Sequence, residues 1–222
     1  MSFKIQTLNK IAAVGLNVLD RDNYEIASEI NNPDAILVRS AEMHDMQLSA
    51  NVKAVARAGA GTNNIPIPEL TEKGVVVFNT PGANANAVKE LVMLALLLSS
   101  RPVIDANKWA NALAGKGDEI PALAEKGKSQ FVGPELMGKT LGIIGLGAIG
   151  AMVANLALHF GMEVIGYDPF LSVKSALFLD KKVKIAETLD TVYAKADYIT
   201  IHVPKTNDTK GMINEEKKKN MK

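Results

Sequence analysis

Three glycines and one aspartate have the spacing of a nucleotide-binding loop. Gly145, Gly147 and Gly150 spell G-x-G-x-x-G, and Asp168 follows roughly 20 residues later. In such a loop the first glycine makes a tight turn, the second admits a pyrophosphate, and the third lets a helix approach a strand closely. An aspartate in this position accepts hydrogen bonds from ribose hydroxyls and repels a 2′-phosphate. The pattern predicts a site for NAD rather than NADP; the alternative is a glycine-rich turn in another βαβ unit.

The elements that position this loop are predicted from the hydrophobic pattern around it. Thr140–Ile144 and Glu163–Tyr167 are apolar enough for buried strands, and residues 148–160 between them predict a helix. The free amides and the dipole at the beginning of that helix favour an anion. The order strand, loop, helix, strand is the context that a nucleotide-binding loop requires.

Two arginines follow predicted strands nearer the N-terminus. The apolar runs at 35–38 and 52–56 end at Arg39 and Arg57. Loops at the carboxyl ends of parallel strands carry the functional groups of such sheets, and the planar guanidinium suits a carboxylate or a phosphate. We interpret both arginines as candidates for binding an anion; the alternative is an ordinary surface charge.

Strand and helix signals alternate along the whole chain. They predict an α/β protein with two doubly wound parallel-sheet domains, residues 1–98 and 99–222. A helix at 86–99 is apolar almost all round, which predicts burial between layers. The other predicted elements include helices at 11–19, 103–114 and 214–222, a loop-rich stretch up to residue 133, and a strand at 198–203 with one open edge.

Composition excludes several classes of protein. The 222 residues suffice for two modest domains, and the net charge of +1 gives no reason to expect a nucleic-acid or membrane partner. The chain has no cysteine, so it has neither disulfides nor thiolate metal ligands, and a cytoplasmic location is the simplest expectation. The longest apolar run is far shorter than the ~20 residues of a membrane helix, and His44 and His159 lack the spacing of metal ligands.

Seven strings, spread in one order over nearly the whole chain, resemble the D-isomer-specific 2-hydroxyacid dehydrogenases. They are VRS (38–40), RAGAGTNNI (57–65), FNTPGANANAVKEL (78–91), GKTLGIIGLGAIG (138–150), GYDP (166–169), DYITIHVP (197–204) and TKGMIN (209–214). The resemblance implies a flavodoxin-like substrate domain followed by a Rossmann domain that is incomplete at its C-terminus, with NAD in the cleft between them.

The resemblance implies hydride transfer between NAD and a small D-2-hydroxy acid, with 3-phosphoglycerate as the leading substrate. Other acids (glyoxylate, hydroxypyruvate or lactate) are alternatives, as is a non-enzymatic, NAD-sensing scaffold like some corepressors. The family's catalytic arginine, carboxylate and histidine correspond to positions beyond Lys222, so no catalytic residue is assigned here. A homodimer or a higher homo-oligomer is expected, with the segment 101–133 around Trp109 at the interface.

The resemblance also implies roles for individual residues. The amides of Gly59, Ala60 and Gly61 would bind the substrate carboxylate, and Arg57 and Arg39 its other anionic group. The residues matched to the cofactor are Thr80, Gly145, Gly147, Ala148, Ile149, Gly150, Asp168, Pro169, His202, Val203 and Pro204.

Three positions need comment. Ala148 stands where the family often has a basic residue, so backbone amides must hold the pyrophosphate. Asn63 replaces a usual aspartate, which we interpret as a structural variation. His202 invites the role of general acid, but its place in the motif favours a position behind the cofactor.

Overall fold

The computed structural model describes residues 2–222. The chain divides into two compact units, which meet in sequence between Asn84 and Ala85. Each unit contains one parallel β-sheet, which confirms the predicted α/β class with two sheets. None of the helices in residues 2–222 has the length and apolar character that a membrane crossing requires.

The first unit is organised around its sheet. The elements described in residues 2–84 are β1 (Phe3–Leu8), α1 (Ala13–Leu16), β2 (Tyr24–Ala27), β3 (Ala35–Val38), β4 (Ala54–Arg57), α2 (Ile67–Glu72) and β5 (Val76–Phe78). The strand order is β2-β1-β3-β4-β5, and the pairs are parallel. Ile36, Val38 and Val55 point from neighbouring strands into one core with Leu70 of α2. From β1 the chain passes to β2 at one edge of the sheet, whereas from β3 onward the strands are added toward the other edge. The boundary between β1 and β3 is therefore the topological switch point of the sheet.

The second unit carries the glycine loop. Its elements are α3 (Ala85–Ser100), α4 (Val103–Asn111), α5 (Ile120–Gly127), β6 (Thr140–Ile144), α6 (Ala148–His159), β7 (Glu163–Tyr167), α7 (Val173–Phe178), β8 (Lys184–Ile185), α8 (Leu189–Lys195), β9 (Tyr198–Ile201) and α9 (Glu215–Lys218). Two 3-10 turns, Gly117–Glu119 and Lys128–Phe131, flank α5. The parallel sheet has the order β8-β7-β6-β9.

Both faces of the second sheet are covered. Ile143 and Val164 join one core with residues of α3 and α6, whereas their neighbours Ile144 and Ile165 join another with Tyr193 of α8. Successive residues of a strand point to opposite faces, so residues 141–144 of β6 and 164–166 of β7 are apolar because they are buried on both sides. Within residues 2–222, β9 pairs only with β6, which leaves the open edge predicted from the sequence.

The helix α3 departs from two expectations. It packs against α6 of the second unit, with Met93 in that core, so the division of the chain falls before this helix and not after residue 98. Burial all round is wrong, because Leu91, Leu94 and Leu97 are exposed. A helix that lies on one face of a sheet buries one stripe, and the opposite stripe stays in solvent.

Several short elements also differ from prediction. The helix predicted at 11–19 is a single exposed turn, α1, which contains Gly15, a weak helix former. The strand β2 was not predicted, because its four residues are at most half-buried and lack an apolar run. The stretch predicted as loop contains α5, with Pro121 in its first turn, where proline favours a helix. The last predicted helix shortens to α9, which begins after the side-chain cap Asn214.

Candidate functional site

The three glycines of the loop after β6 have three different environments. Gly145 has φ = +92°, and a Cβ there would lie 2.8 Å from the carbonyl oxygen of His202. A Cβ on Gly150 would overlap the Gly145 carbonyl oxygen, so only glycine allows α6 to approach the loop this closely. A Cβ on Gly147 would meet nothing within 4 Å. The geometry therefore agrees with a tight turn, a close helix contact and one open face above the backbone.

The beginning of α6 presents unpaired backbone donors beside that open face. No side chain caps the helix, and its first turn contains no acidic residue. The carbonyl of Gly147 accepts from the Ala151 amide at 3.0 Å, and the amides of Ala148, Ile149 and Gly150 precede the first intrahelical donor. Such amides, with the helix dipole, attract an anion. The loop fits a pyrophosphate without a basic side chain at Ala148.

Asp168 follows β7 and is bonded to the backbone through both carboxylate oxygens. Its Oδ2 accepts from the Leu146 amide at 2.8 Å, and its Oδ1 accepts from the Phe170 amide at 2.9 Å. A carboxylate oxygen has two lone pairs, so each oxygen keeps one for a ligand hydroxyl. The side chain is half-buried, and the adjacent Pro169 is exposed. Asp168 is thus held in place while it retains the acceptors that a ribose requires.

His202 lies behind the glycine loop. Its amide donates to the Ile144 carbonyl at 2.7 Å, which continues the pairing of β9 with β6. The ring Nε2 lies 2.9 Å from Thr200 Oγ1, and burial lowers the pKa of the imidazole. The next residue, Val203, packs against the core on the α8 side of the sheet, and Pro204 is exposed. This environment holds a neutral imidazole against the protein, which agrees with a supporting position.

In the first unit, Arg57 lies against the loop that follows it. Its Nε donates to the carbonyl of Arg39 at 2.9 Å, and its Nη1 makes a long contact of 3.5 Å with Asn63 Oδ1. A Cβ on Gly61 would come within 2.9 Å of Arg57 Nη1. No carboxylate within residues 2–222 pairs with Arg57. The guanidinium is therefore held by neutral oxygens, and no carboxylate of the described residues offsets its charge.

The glycine loop after β4 is fixed by the residues after β5. The Gly59 carbonyl accepts from the Thr80 amide at 3.0 Å, and the Ala60 carbonyl accepts from Asn79 Nδ2 at 2.7 Å. Within residues 2–222 the amides of Ala60 and Gly61 have no acceptor, whereas the Gly59 amide is bonded to the Arg57 carbonyl at 2.9 Å. The residues of the predicted carboxylate site are thus adjacent, and two of the three amides are free.

Arg39 and Asn79 contact the predicted substrate site in ways that the sequence did not predict. Arg39 contributes its carbonyl to the placement of Arg57, while its own side chain is exposed. Asn79 was not singled out, although its position after β5, in the loop that contains Thr80, was a signal available in the sequence. Thr80 lies in the first unit beside the Gly59 loop, and its contact with the cofactor stays a prediction.

Asn9, at the end of β1, was missed by the sequence analysis. It has φ = +69°, and its Oδ1 accepts from the amides of Ser40 at 2.9 Å and Ala41 at 2.6 Å. Asparagine tolerates this left-handed conformation better than most residues. An asparagine placed directly after a strand was the available signal.

The remaining histidines are held locally. His44 Nδ1 pairs with Glu42 Oε1 on an exposed loop, and this contact raises the pKa of the imidazole and lowers that of the carboxyl. His159 Nδ1 lies 2.8 Å from the Asn155 carbonyl. No group of three or more potential metal ligands occurs among the residues that the structure describes.

Comparison with known proteins identifies the family. Residues 93–222 match the family model described as D-isomer specific 2-hydroxyacid dehydrogenase, NAD binding domain. The chain belongs to the D-isomer-specific 2-hydroxyacid dehydrogenases. The match confirms the resemblance read from the seven strings, and it confirms NAD as the cofactor of this dehydrogenase domain.

Relatives in this dehydrogenase family align with most of the chain. It is 33% identical over 232 residues to the D-3-phosphoglycerate dehydrogenase of Synechocystis sp., an alignment that covers 99% of the chain and 39% of that protein. It is 38% identical over 207 residues to the hydroxypyruvate reductase of Thermotoga maritima, covering 92% of the chain and 61% of that protein. The chain therefore spans less than two thirds of the length of these relatives.

Solved structures show the same fold. The NAD+-bound 3-phosphoglycerate dehydrogenase of Entamoeba histolytica superimposes with a TM-score of 0.74 at 26% identity, over 100% of the chain and 69% of that structure. The D-lactate dehydrogenase of Aquifex aeolicus gives a TM-score of 0.71 at 23% identity, over 99% of the chain and 68% of that structure. These similarities confirm the two parallel-sheet arrangements predicted for a dehydrogenase of this family.

Proposed function

We propose that this chain provides the substrate-binding and NAD-binding parts of a dehydrogenase that interconverts 3-phosphoglycerate and 3-phosphohydroxypyruvate, the reaction that opens serine biosynthesis. The proposal is supported by the family, by the similarity to several D-3-phosphoglycerate dehydrogenases, and by the anion site in the first unit. Because the chain spans only part of the relatives' length, the activity is proposed for the protein that contains these residues.

The observation that carries the substrate assignment is the environment of Arg57. Its guanidinium is bonded only to neutral oxygens, and it lies beside Gly61, whose amide is free, as is that of Ala60. A cation that is already paired with a carboxylate is a poor anion receptor, whereas an uncompensated one retains its attraction. The site therefore offers two kinds of anion donor, backbone amides and a guanidinium.

A phosphorylated 2-hydroxy acid has two anionic ends and can use both donors. In the proposed complex the Ala60 and Gly61 amides bind the carboxylate, and Arg57 binds the phosphate with the help of the exposed Arg39 side chain. The planar guanidinium forms paired hydrogen bonds to phosphate oxygens. A substrate without a phosphate would place no anionic group beside Arg57.

The NAD-binding unit contributes binding and orientation. The amides at the beginning of α6 would hold the pyrophosphate over the open face of Gly147, and the Asp168 carboxylate would bind the ribose hydroxyls. When bound, NAD supplies the nicotinamide ring that accepts or donates the hydride. These two contacts would fix the pyrophosphate and the adenosine ribose, and a fixed orientation of the cofactor is a major part of the catalytic contribution that a protein makes to such a reaction.

Proton transfer is assigned to groups outside residues 1–222. Each histidine described here is engaged elsewhere: His202 with Thr200, His44 with Glu42 and His159 with a helix carbonyl. The lowered pKa of His202 follows from burial, which disfavours the imidazolium that a proton donor needs. The proposal therefore follows the resemblance, which gives proton exchange to a histidine beyond Lys222.

A second candidate function is the reduction of hydroxypyruvate, which the 38% identity to the Thermotoga maritima enzyme favours. Calorimetric titration of the chain with 3-phosphoglycerate and with D-glycerate separates the two, because these ligands differ only in the phosphate. The first proposal predicts that 3-phosphoglycerate binds at least about tenfold more tightly, the scale of one charge-assisted contact. Equal affinities would favour the unphosphorylated acid.

We also propose that the protein is a homodimer in the cytoplasm, with the segment 101–133 at the interface. The rings of Trp109 and Phe131 pack in a tilted arrangement with their centroids 5.2 Å apart, which holds α4 against the turn after α5. Val103 and Ile104 are more than half exposed, and Val132 is 79% exposed. Burial of this apolar surface against a second copy would stabilise a dimer.

A further inference from the structure

The topological switch point of the first sheet brings together two loops, of which only one has so far contributed a residue to the proposed substrate site. β1 and β3 are adjacent strands, with Leu8 beside Val38. Their loops begin with Asn9 and Arg39, and ligands of open parallel sheets bind outside the carboxyl ends of the strands at such a switch. Arg39 has a role in the proposed site, whereas Asn9 has none so far.

Asn9 makes two hydrogen bonds that need an unusual backbone. Its φ of +69° lies in the left-handed region, which costs energy for a residue with a Cβ. In this conformation the side-chain oxygen accepts from two successive amides, Ser40 at 2.9 Å and Ala41 at 2.6 Å. Two successive amides that converge on one point form a nest for negative charge. Asn9 fills that nest, so these amides serve to hold the loop.

The loop held by Asn9 contains the oxygen that places Arg57. The Ser40 amide belongs to the same peptide group as the carbonyl of Arg39, and that carbonyl accepts from Arg57 Nε at 2.9 Å. A peptide group is planar, so the direction of the amide fixes the direction of the carbonyl. The far side of the loop is held by the buried Asn64, whose Nδ2 donates to the Ala41 carbonyl at 2.6 Å.

We propose that Asn9 is a positioning residue for the substrate anion. It orients the peptide between Arg39 and Ser40, the carbonyl of that peptide orients Arg57, and Arg57 receives the phosphate. The inference rests on the proposed function of Arg57 as the phosphate receptor. The side-chain oxygen of Asn9 accepts from the Ser40 and Ala41 amides, so its proposed effect on the anion is exerted through this loop and Arg57.

The substitution Asn9→Gly tests this role without changing the backbone conformation. Glycine adopts φ of +69° freely, so the variant loses the acceptor and keeps the fold, and its melting temperature serves as the control. The affinity for 3-phosphoglycerate, measured by calorimetry on the 222-residue protein, should fall about tenfold, within the usual range for coupled contacts. NAD affinity, which depends on the second unit, should not change.

The same substitution in an Arg57→Lys protein distinguishes the positioning of Arg57 by Asn9 from a general effect of Asn9 on the loop. Arg57→Lys keeps the positive charge, so binding stays measurable, but it removes the Nε donor that the Arg39 carbonyl orients. In this background Asn9→Gly should weaken binding less than about twofold, because the coupled partner is gone. Equal losses in both backgrounds, or no loss in either, would overturn the proposal.

A ligand-free measurement completes the test. The Arg57 Nε–H resonance should exchange with water faster in Asn9→Gly than in the unmutated protein, since its acceptor is no longer held. If the unmutated protein does not bind 3-phosphoglycerate, the proposed function fails, and the exchange rate still reports on Asn9. If binding depends on Arg57 and the exchange rate is unchanged by Asn9→Gly, the positioning role alone is wrong.

Discussion

The carboxylate of Asp168 accepts a hydrogen bond from the Leu146 amide, with Oδ2 2.8 Å from the nitrogen. The residue that follows β7 thereby fixes the loop that follows β6. The placement of the loop depends on the side chain to which we assign recognition of the cofactor, and a substitution must separate the two.

The preference for NAD over NADP is predicted to depend on the charge of Asp168. Asp168→Asn keeps an oxygen that can accept from Leu146 but removes the negative charge that repels a 2′-phosphate. We expect this variant to narrow the ratio of NADP to NAD dissociation constants by at least about tenfold, since like charges in contact cost several kcal/mol. Asp168→Ala, which also frees the loop, should in addition bind NAD more weakly. Equal affinities of the unmutated chain for both cofactors would contradict this account.

Replacement by alanine should affect two glycines of the same loop differently, lowering stability at one and NAD affinity at the other. Gly150→Ala forces a Cβ into the Gly145 carbonyl oxygen, and we expect it to lower the free energy of unfolding by about 1–3 kcal/mol, the usual cost of overpacking. Gly147→Ala meets nothing within 4 Å, so its stability should hardly change. It should nevertheless weaken NAD binding, because the new methyl group occupies the space assigned to the pyrophosphate.

Thermal unfolding and NAD titration of both variants check this pair. A stable Gly150→Ala variant would show that the close approach of α6 to the loop is wrong. A Gly147→Ala variant with unchanged NAD affinity would show that the pyrophosphate does not lie over this residue.

Arg57 is predicted to recognise the phosphate of the substrate. Arg57→Ala should cost about 2–4 kcal/mol in binding 3-phosphoglycerate, the scale of a lost charge-assisted contact, and much less in binding D-glycerate. Arg21→Ala is the matched control, because Arg21 is an exposed arginine of the same unit that precedes β2 and so lies at the opposite end of the sheet. Equal losses for both ligands would reassign Arg57 to the carboxylate.

The proposed dimer is expected to depend on exposed residues of α4. Replacing Ile104, which is 58% exposed, with aspartate should shift the protein from dimer to monomer in sedimentation velocity at micromolar concentration, because a buried unpaired charge is costly at an interface. Val14→Asp, on the exposed turn α1, is the control and should remain dimeric. An unmutated protein that sediments only as a monomer would refute the proposal.

How far the sequence predicted the structure depends on how strongly burial constrained each stretch. Thr140–Ile144 and Glu163–Tyr167 were predicted with their correct bounds, because their central residues are buried on both faces and are all apolar. The helix α3 was predicted, but its exposed leucines were not, since an apolar side chain does not reveal whether anything covers it. Its assignment to the second unit depends on contacts with α6 that no local pattern encodes.

In the candidate sites, too, the sequence predicted local motifs but not the contacts between distant residues. The glycine loop and Asp168 form a local motif, so the sequence predicted that they lie together; their roles toward NAD stay a prediction. Arg57 was predicted from its place after a strand, but its bond to the Arg39 carbonyl depends on the pairing of β3 with β4. Asn9 was missed because its partners lie more than thirty residues away in sequence. Only the order of the strands brings them together.

One measurement tests the central proposal most directly: NADH consumption with 3-phosphohydroxypyruvate and with hydroxypyruvate. It compares the 222-residue chain with a version that carries the C-terminal segment of its longer relatives. The account predicts turnover only by the longer form, faster with the phosphorylated acid and dependent on Arg57. Comparable turnover by the 222-residue chain would show that the groups for proton transfer lie within it. Binding of NADH without turnover of any 2-keto acid by the longer form would contradict the proposed dehydrogenase activity.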